Sequence, residues 1–200
     1  MKQRDYEIRR ERKLVSKIRV FNEMYKLFKL RNRKNKAAME LYSALVIQAR
    51  QPHFYRHWGI PDTPDGRYDM IMLHVFLVLH RLKSDHQHTK NISQALFDLM
   101  FQDMDKNLRE MGVGDTGISR RVKQMAKAFY GRIAAYECGL GSPDNSLEKA
   151  IERNIYRNVP VTKGQVTLLC KYIRKESINL ANQRTRQLLN GRISFDASLE

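Results

Sequence analysis

The run MIMLHVFLVLH, from Met70 to His80, constrains this chain more than any other stretch. It is apolar almost without a break, so it has no face to give to water. It is too short to span a bilayer, which takes about twenty apolar residues, and His74 interrupts it. Together with Leu82 it predicts a helix enclosed by other helices. Asp65, in the turn-forming TPDG just before it, is placed to cap that helix.

The surrounding helices follow from apolar spacing. Ala38, Leu41, Tyr42, Leu45 and Ala49 predict a helix from Ala37 to Gln51, ended by Pro52. KSDHQHTKN reads as a polar connection, followed by a helix from Ile92 to Met111 that Gly112 stops. GVGDTG leads to a helix from Ile118 to Tyr136 burying Val122, Met125, Ala126, Phe129 and Ile133. CGLGSPDNS breaks the chain again. Leu147, Ile151 and Ile155 define a short helix, and a long one runs from Lys163 to Asn190 with Gly191 as its stop. No useful period-two alternation appears. The fold class is therefore all-α: one domain of about six helices over 37–192, a basic amphipathic helical extension over 1–36 and a short tail over 193–200.

The acidic stretch QDMDKNLREMGVGD, from Gln102 to Asp115, imitates the start of a calcium loop, with Asp103, Asp105 and Asn107 at alternate positions. An EF-hand also needs Gly at its sixth position and Glu at its twelfth. Here Leu108 and Gly114 stand there. On the helix that Leu96, Met100, Met104, Leu108 and Met111 predict, the three side chains point in different directions. No calcium site is expected.

Other chemistry is equally hard to assemble. His53 and His57 have a zinc-capable spacing, but Phe54 stands where HExxH requires Glu. His74 reads as a satisfied core histidine. Cys138 and Cys170 make no disulfide framework and suit a reducing compartment. No phosphate loop or nucleophile elbow is present, so neither cofactor, metal nor catalytic residue is expected.

Charge is informative because it is uneven. The net +16 divides into +10 over residues 1–36, zero over 37–152 and +6 over 153–200. Basic flanks of this kind meet polyanions such as RNA or an anionic membrane. Leu14, Ile18, Phe21, Tyr25 and Phe28 share one stripe of a helix, with Lys13, Lys17, Arg19, Lys26 and Lys29 around it. Such a stripe docks on a membrane surface or a partner, or packs on its own domain.

Three blocks carry a resemblance: QARQPHFY (Gln48 to Tyr55), LHVFLVL within the central run, and NLREMGVGD with AFYGR (Asn107 to Asp115, Ala128 to Arg132). Over residues 40–192 the chain resembles the ubiquinol–cytochrome c chaperone family. The resemblance implies a helical, non-enzymatic chaperone without nucleotide or metal that binds newly made cytochrome b during assembly of the ubiquinol–cytochrome c reductase complex. The resemblance further suggests that mitochondrial members work with a small helper subunit and near the ribosome, which it does not imply for a bacterial one. Residues 1–34 depart from the family pattern, and their acids and scarce serines do not suit a transit peptide. A bacterial homologue at the cytoplasmic face of the inner membrane is expected.

On that reading Phe54, Tyr55, Trp58 and Tyr130 are expected to offer aromatic surface to the client. Asp103, Arg109, Glu110, Asp115, Lys123 and Arg132 supply polar groups beside it. Alternatively, the acids pair with Arg120, Arg121, Lys123 and Arg132 across the GVGDTG turn. Gly131 is expected to admit a close backbone, and Tyr130 and Arg132 to be replaceable without loss of the fold. Methionines 100, 104, 111 and 125 are either adaptable groove or plain core. The rival reading, from another class, is an RNA- or ribosome-binding protein that uses its basic flanks.

Overall fold

The computed structural model describes residues 36–157 and 159–196, so the basic extension up to residue 35, with its predicted contacts Lys13, Lys17, Arg19, Lys26 and Lys29, lies outside the described residues. Helices dominate, and no strand occurs among the described residues. Helix α1 covers 36–49 and buries Ala38, Leu41, Leu45 and Ala49 completely. Pro52 ends α1 by starting a new helix, α2 (Pro52–Arg56), where its missing N–H costs nothing.

The central helix is α3 (Pro64–Lys83), in which every residue from Asp69 to Val78 is buried. Its cap is Thr63, whose hydroxyl accepts the Gly66 N–H at 3.1 Å. Asp65 instead sits in the first turn, where its charge favours the helix dipole. Helices α4 (His86–Glu110), α5 (Asp115–Gly141) and α7 (Lys163–Asn182) pack around α3. The short α6 (Ser146–Ile151) runs into a π-helical turn (Glu152–Tyr156), and α8 (Thr185–Leu188) closes the set.

Three predicted boundaries move, each for a visible reason. KSDHQHTKN is mostly helix rather than connection, because the buried Thr89 hydroxyl donates to Leu82 O at 2.6 Å and anchors the first turn of α4. Helix α5 continues through Gly141, because Gly139 lets the backbone of Leu147 approach so closely that a Cβ would lie 2.6 Å from its Cα. The long last helix breaks at Gln183. There Arg81 donates to Leu180 O, Gln183 O and Thr185 Oγ1, satisfying carbonyls that a continuing helix would have used.

Gly112 and Gly191, both with φ +78°, end α4 and the turn after α8. Around each, the next residue's N–H reaches five residues back (Val113 to Leu108 O, Arg192 to Gln187 O), the Schellman arrangement.

His74 is the satisfied core histidine expected. Its Nδ1–H donates to Met70 O at 2.8 Å and its Nε2 accepts from the Tyr172 hydroxyl at 2.7 Å, while Gln48 donates to that hydroxyl from α1. Burial pushes its pKa down to about 4, so the ring is neutral. The tail folds back on α7. Buried Glu176 accepts the Asp196 N–H at 2.7 Å, and Phe195 packs edge-on against His74.

Candidate functional site

A groove opens where the start of α3, the end of α4 and the first half of α5 meet. Its two lobes, each about 410 Å³, share Pro64, Tyr68 and Met111. One lobe is bounded by Met72, Leu108, Met125 and Ala128, with Asp65, Asp69, Arg121, Arg132 and Arg157 as its polar groups. The other is bounded by Ile71, Arg50, Asp62, Arg67, Asp103 and Asn107. The groove exists because α5 buries little before Phe129: Val122 and Met125, expected in the core, are only half-buried. Met111, at the end of α4, is 57% exposed.

A buried ion cluster forms the floor. Asp69, 1% exposed one turn into α3, accepts from Arg132 Nη1 at 2.6 Å and from Arg157 Nη2 at 2.8 and 2.7 Å. Arg157 stands at the end of the π turn with φ +54°, a conformation uncommon outside glycine. Burial raises the Asp69 carboxyl to about 6 while both guanidiniums hold it down, so it is ionised at neutral pH. Arg132 also lies 3.3 Å from Met72 Sδ.

The structure redistributes the residues expected at the site. Phe54 and Trp58 are core, not groove: they are 0% and 7% exposed and meet Tyr172 edge-on at 5.1 and 5.8 Å. Tyr55 is half-buried, its hydroxyl donating to Ala49 O at 2.7 Å. Arg132 is not the surface residue expected, because its guanidinium is committed to Asp69. Among the described residues no other element comes within 4 Å of where a Cβ on Gly131 would stand, so they do not supply the close backbone expected there. Tyr130 is 61% exposed, its ring 5.8 Å from that of Phe97. Lys123 is exposed on α5.

The acids around the end of α4 do not pair with Arg120, Arg121, Lys123 or Arg132 among the described residues, whereas Asp105 and Arg109 do form the pair that their i,i+4 spacing allows. Arg109 bridges Asp105 at 2.7 Å and Asp115 at 2.6 Å, tying α4 to α5 across the turn. Glu110 faces Lys106 at 3.8 Å. Asp103 does line the groove, where it accepts the Tyr42 hydroxyl at 2.8 Å. No group of three His, Cys, Asp or Glu among the described residues could hold a metal ion. Cys138 is exposed, and burial raises the Cys170 thiol to about 12.

Of the four methionines, Met100 and Met104 are buried completely, whereas Met111 and Met125 line the groove. Asp69, Arg157 and Tyr68 were not singled out in the sequence. Asp69 alone carries a signal there: it is an acid immediately before an apolar run, where a charge needs a partner.

No described helix is long and apolar enough to cross a membrane. Residues 56–195 match the family described as ubiquinol-cytochrome C chaperone. The crystal structure of the Cbp3 homolog from Brucella abortus superposes with a TM-score of 0.77 at 35% identity, covering 86% of this chain and 96% of that one. The ubiquinol-cytochrome c reductase complex assembly factor 1 of Mus musculus is 27% identical over 76% of this chain and 52% of its own length. Its Xenopus laevis counterpart is 26% identical over 70% of each. The chain thus spans about half the length of the mouse relative. With more than half of its residues matched, and in the same fold as the bacterial relative, the chain belongs to the ubiquinol–cytochrome c chaperone family.

Proposed function

We propose that the protein is a non-enzymatic assembly chaperone that holds an apolar segment of newly made cytochrome b in the groove between α3, α4 and α5, and so assists assembly of the ubiquinol–cytochrome c reductase complex. The observation that carries the reading is the groove wall of Met72, Leu108, Met111 and Met125. Thioether side chains fit varied apolar shapes, which suits a client whose membrane helices must be shielded before they insert. The names of the relatives, which are assembly factors of that complex, point the same way. The same proposal places the chain peripherally at the cytoplasmic face of the inner membrane, with the +10 charge of residues 1–36 toward anionic lipid or the ribosome.

The test is recovery of cytochrome b with the tagged protein from growing cells, comparing wild type with Met111→Lys/Met125→Lys. Substitution at such exposed or half-exposed positions costs the fold only about 0.5 kcal/mol each. The client should be lost while the thermal melt stays in place. Full recovery of cytochrome b by the double variant would remove the groove from the function.

A further inference from the structure

The Arg50 end of the groove holds polar groups that the fold itself does not use. The Tyr68 hydroxyl is buried yet has no hydrogen-bond partner among the described residues. Leaving a buried phenol unmatched is unfavourable, and such a group usually meets a ligand or water. Arg50, just past the end of α1, lines the same lobe and pairs with no carboxylate among the described residues. Both side chains line that lobe, and the charges that reach the phenol are those of Asp103 first, then Arg50, then Glu110.

The nearby carboxylates are already engaged. Asp62 holds Arg67 at 2.6 Å, and Asp103 accepts from Tyr42 and from Asn107 Nδ2 at 2.8 and 3.2 Å. Arg50 also borders a smaller cavity of about 300 Å³ with Arg56, which likewise has no carboxylate partner. One positive group and one O–H donor thus converge beside the apolar side chains of Ile71 and Met111.

We propose that Arg50 and Tyr68 form a carboxylate subsite at this end of the groove, which takes an acidic side chain carried by the apolar segment bound there. This rests on the groove being the client site. A singly charged carboxylate matches the two donors, and a charge-assisted bond inside an apolar cleft is strong and directional. Asp62 and Asp103 oppose any anion in this lobe, and a phosphate's second charge would about double that repulsion. The apolar walls on either side continue into the methionine lobe, which suits a peptide and not a free ion.

The probe is a labelled Leu- and Ala-rich helical peptide carrying one Glu, compared with the same peptide carrying Gln, in anisotropy titrations of the full chain. Wild type should bind the Glu peptide about tenfold more tightly, the scale of one hydrogen bond to a charged group. Tyr68→Phe, which removes only the oxygen, and Arg50→Gln should each shrink that preference and leave the Gln peptide's affinity unchanged. Met125→Gln, uncharged and confined to the other lobe, should weaken both peptides alike, which separates failure of the groove from failure of the subsite. Equal binding of the two peptides by wild type, or a preference that survives Tyr68→Phe, would overturn the assignment. So would tighter binding of a phosphoserine version, which would reassign the subsite to phosphate.

Discussion

The ion cluster beneath the groove predicts an order of damage that differs from a simple count of bonds. Asp69→Leu removes the anion that two cations share, leaving Arg157 with Asp65 at 3.7 Å and Arg132 with no carboxylate among the described residues. Arg157, with 43% of its side chain exposed, can turn to water, but Arg132, at 10%, cannot. Breaking a buried pair by removing one partner costs about 3–5 kcal/mol, because the other charge stays buried. Arg132→Met is milder: Asp69 still accepts two bonds from Arg157, so the loss is that of one charge-assisted bond, about 1.5–3 kcal/mol. Arg157→Met should be mildest of the three at the level of packing, since its solvated end already faces the groove rim.

For a domain of this size about 1 kcal/mol moves the melting temperature by 2–4 °C. Asp69→Leu should therefore melt about 10 °C or more below wild type, and Arg132→Met about 5 °C below. The double variant Asp69→Leu/Arg132→Met should lie above Asp69→Leu, since it buries no unpaired charge. Circular dichroism melts of wild type and the four variants are sufficient. If Asp69→Leu melts within a degree or two of wild type, or the double variant is the sum of the singles, the cluster is not a coupled buried unit.

Three further outcomes are expected. His74 has a folded-state pKa below its unfolded one, so the stability it confers is full above the unfolded value near 6.5 and is lost as pH falls toward about 4. Between pH 7 and 5, wild type should lose about 2 kcal/mol in urea titrations that His74→Asn does not lose. Gly139→Ala would press its Cβ onto the backbone of Leu147 and should lower stability by about 1–3 kcal/mol. By contrast Gly131→Ala has open space on a helix and should gain about 0.5–1 kcal/mol in the same melts.

What the sequence disclosed depended on whether the cause was local. The burial of α3 follows from its own apolar run, and spacing alone puts Leu41 and Leu45 in the core; for Met100 and Met104 it gave a shared helix face but left groove and core open, and both are core. Gly112 and Gly191 marked chain reversals because a positive φ is a local demand. The misplaced boundaries had distant causes. The break at Gln183 depends on Arg81, about a hundred positions away, and the extension of α5 depends on Leu147 crossing Gly139. Phe54 and Trp58 looked like loop aromatics because they follow Pro52, yet Tyr172 on α7 encloses them. Neither neighbour can be read from the segment itself.

The groove shows the same limit and suggests why its floor is ionic. An apolar cleft left empty would gain from closing, since each buried methylene contributes about 0.8 kcal/mol. Asp69 opposes that by fixing α3 to α5 through Arg132 and to the π turn through Arg157. A buried ion pair adds little net stability compared with apolar packing, but its geometry is narrow, so its effect is on position. An apolar floor would let α5 slide toward α3 and close over Met111 and Met125. The charged floor keeps Met72, Met111 and Met125 around an open space. This separates stability from readiness to bind: Asp69→Leu/Arg132→Met should recover the fold more completely than it recovers binding of an apolar peptide.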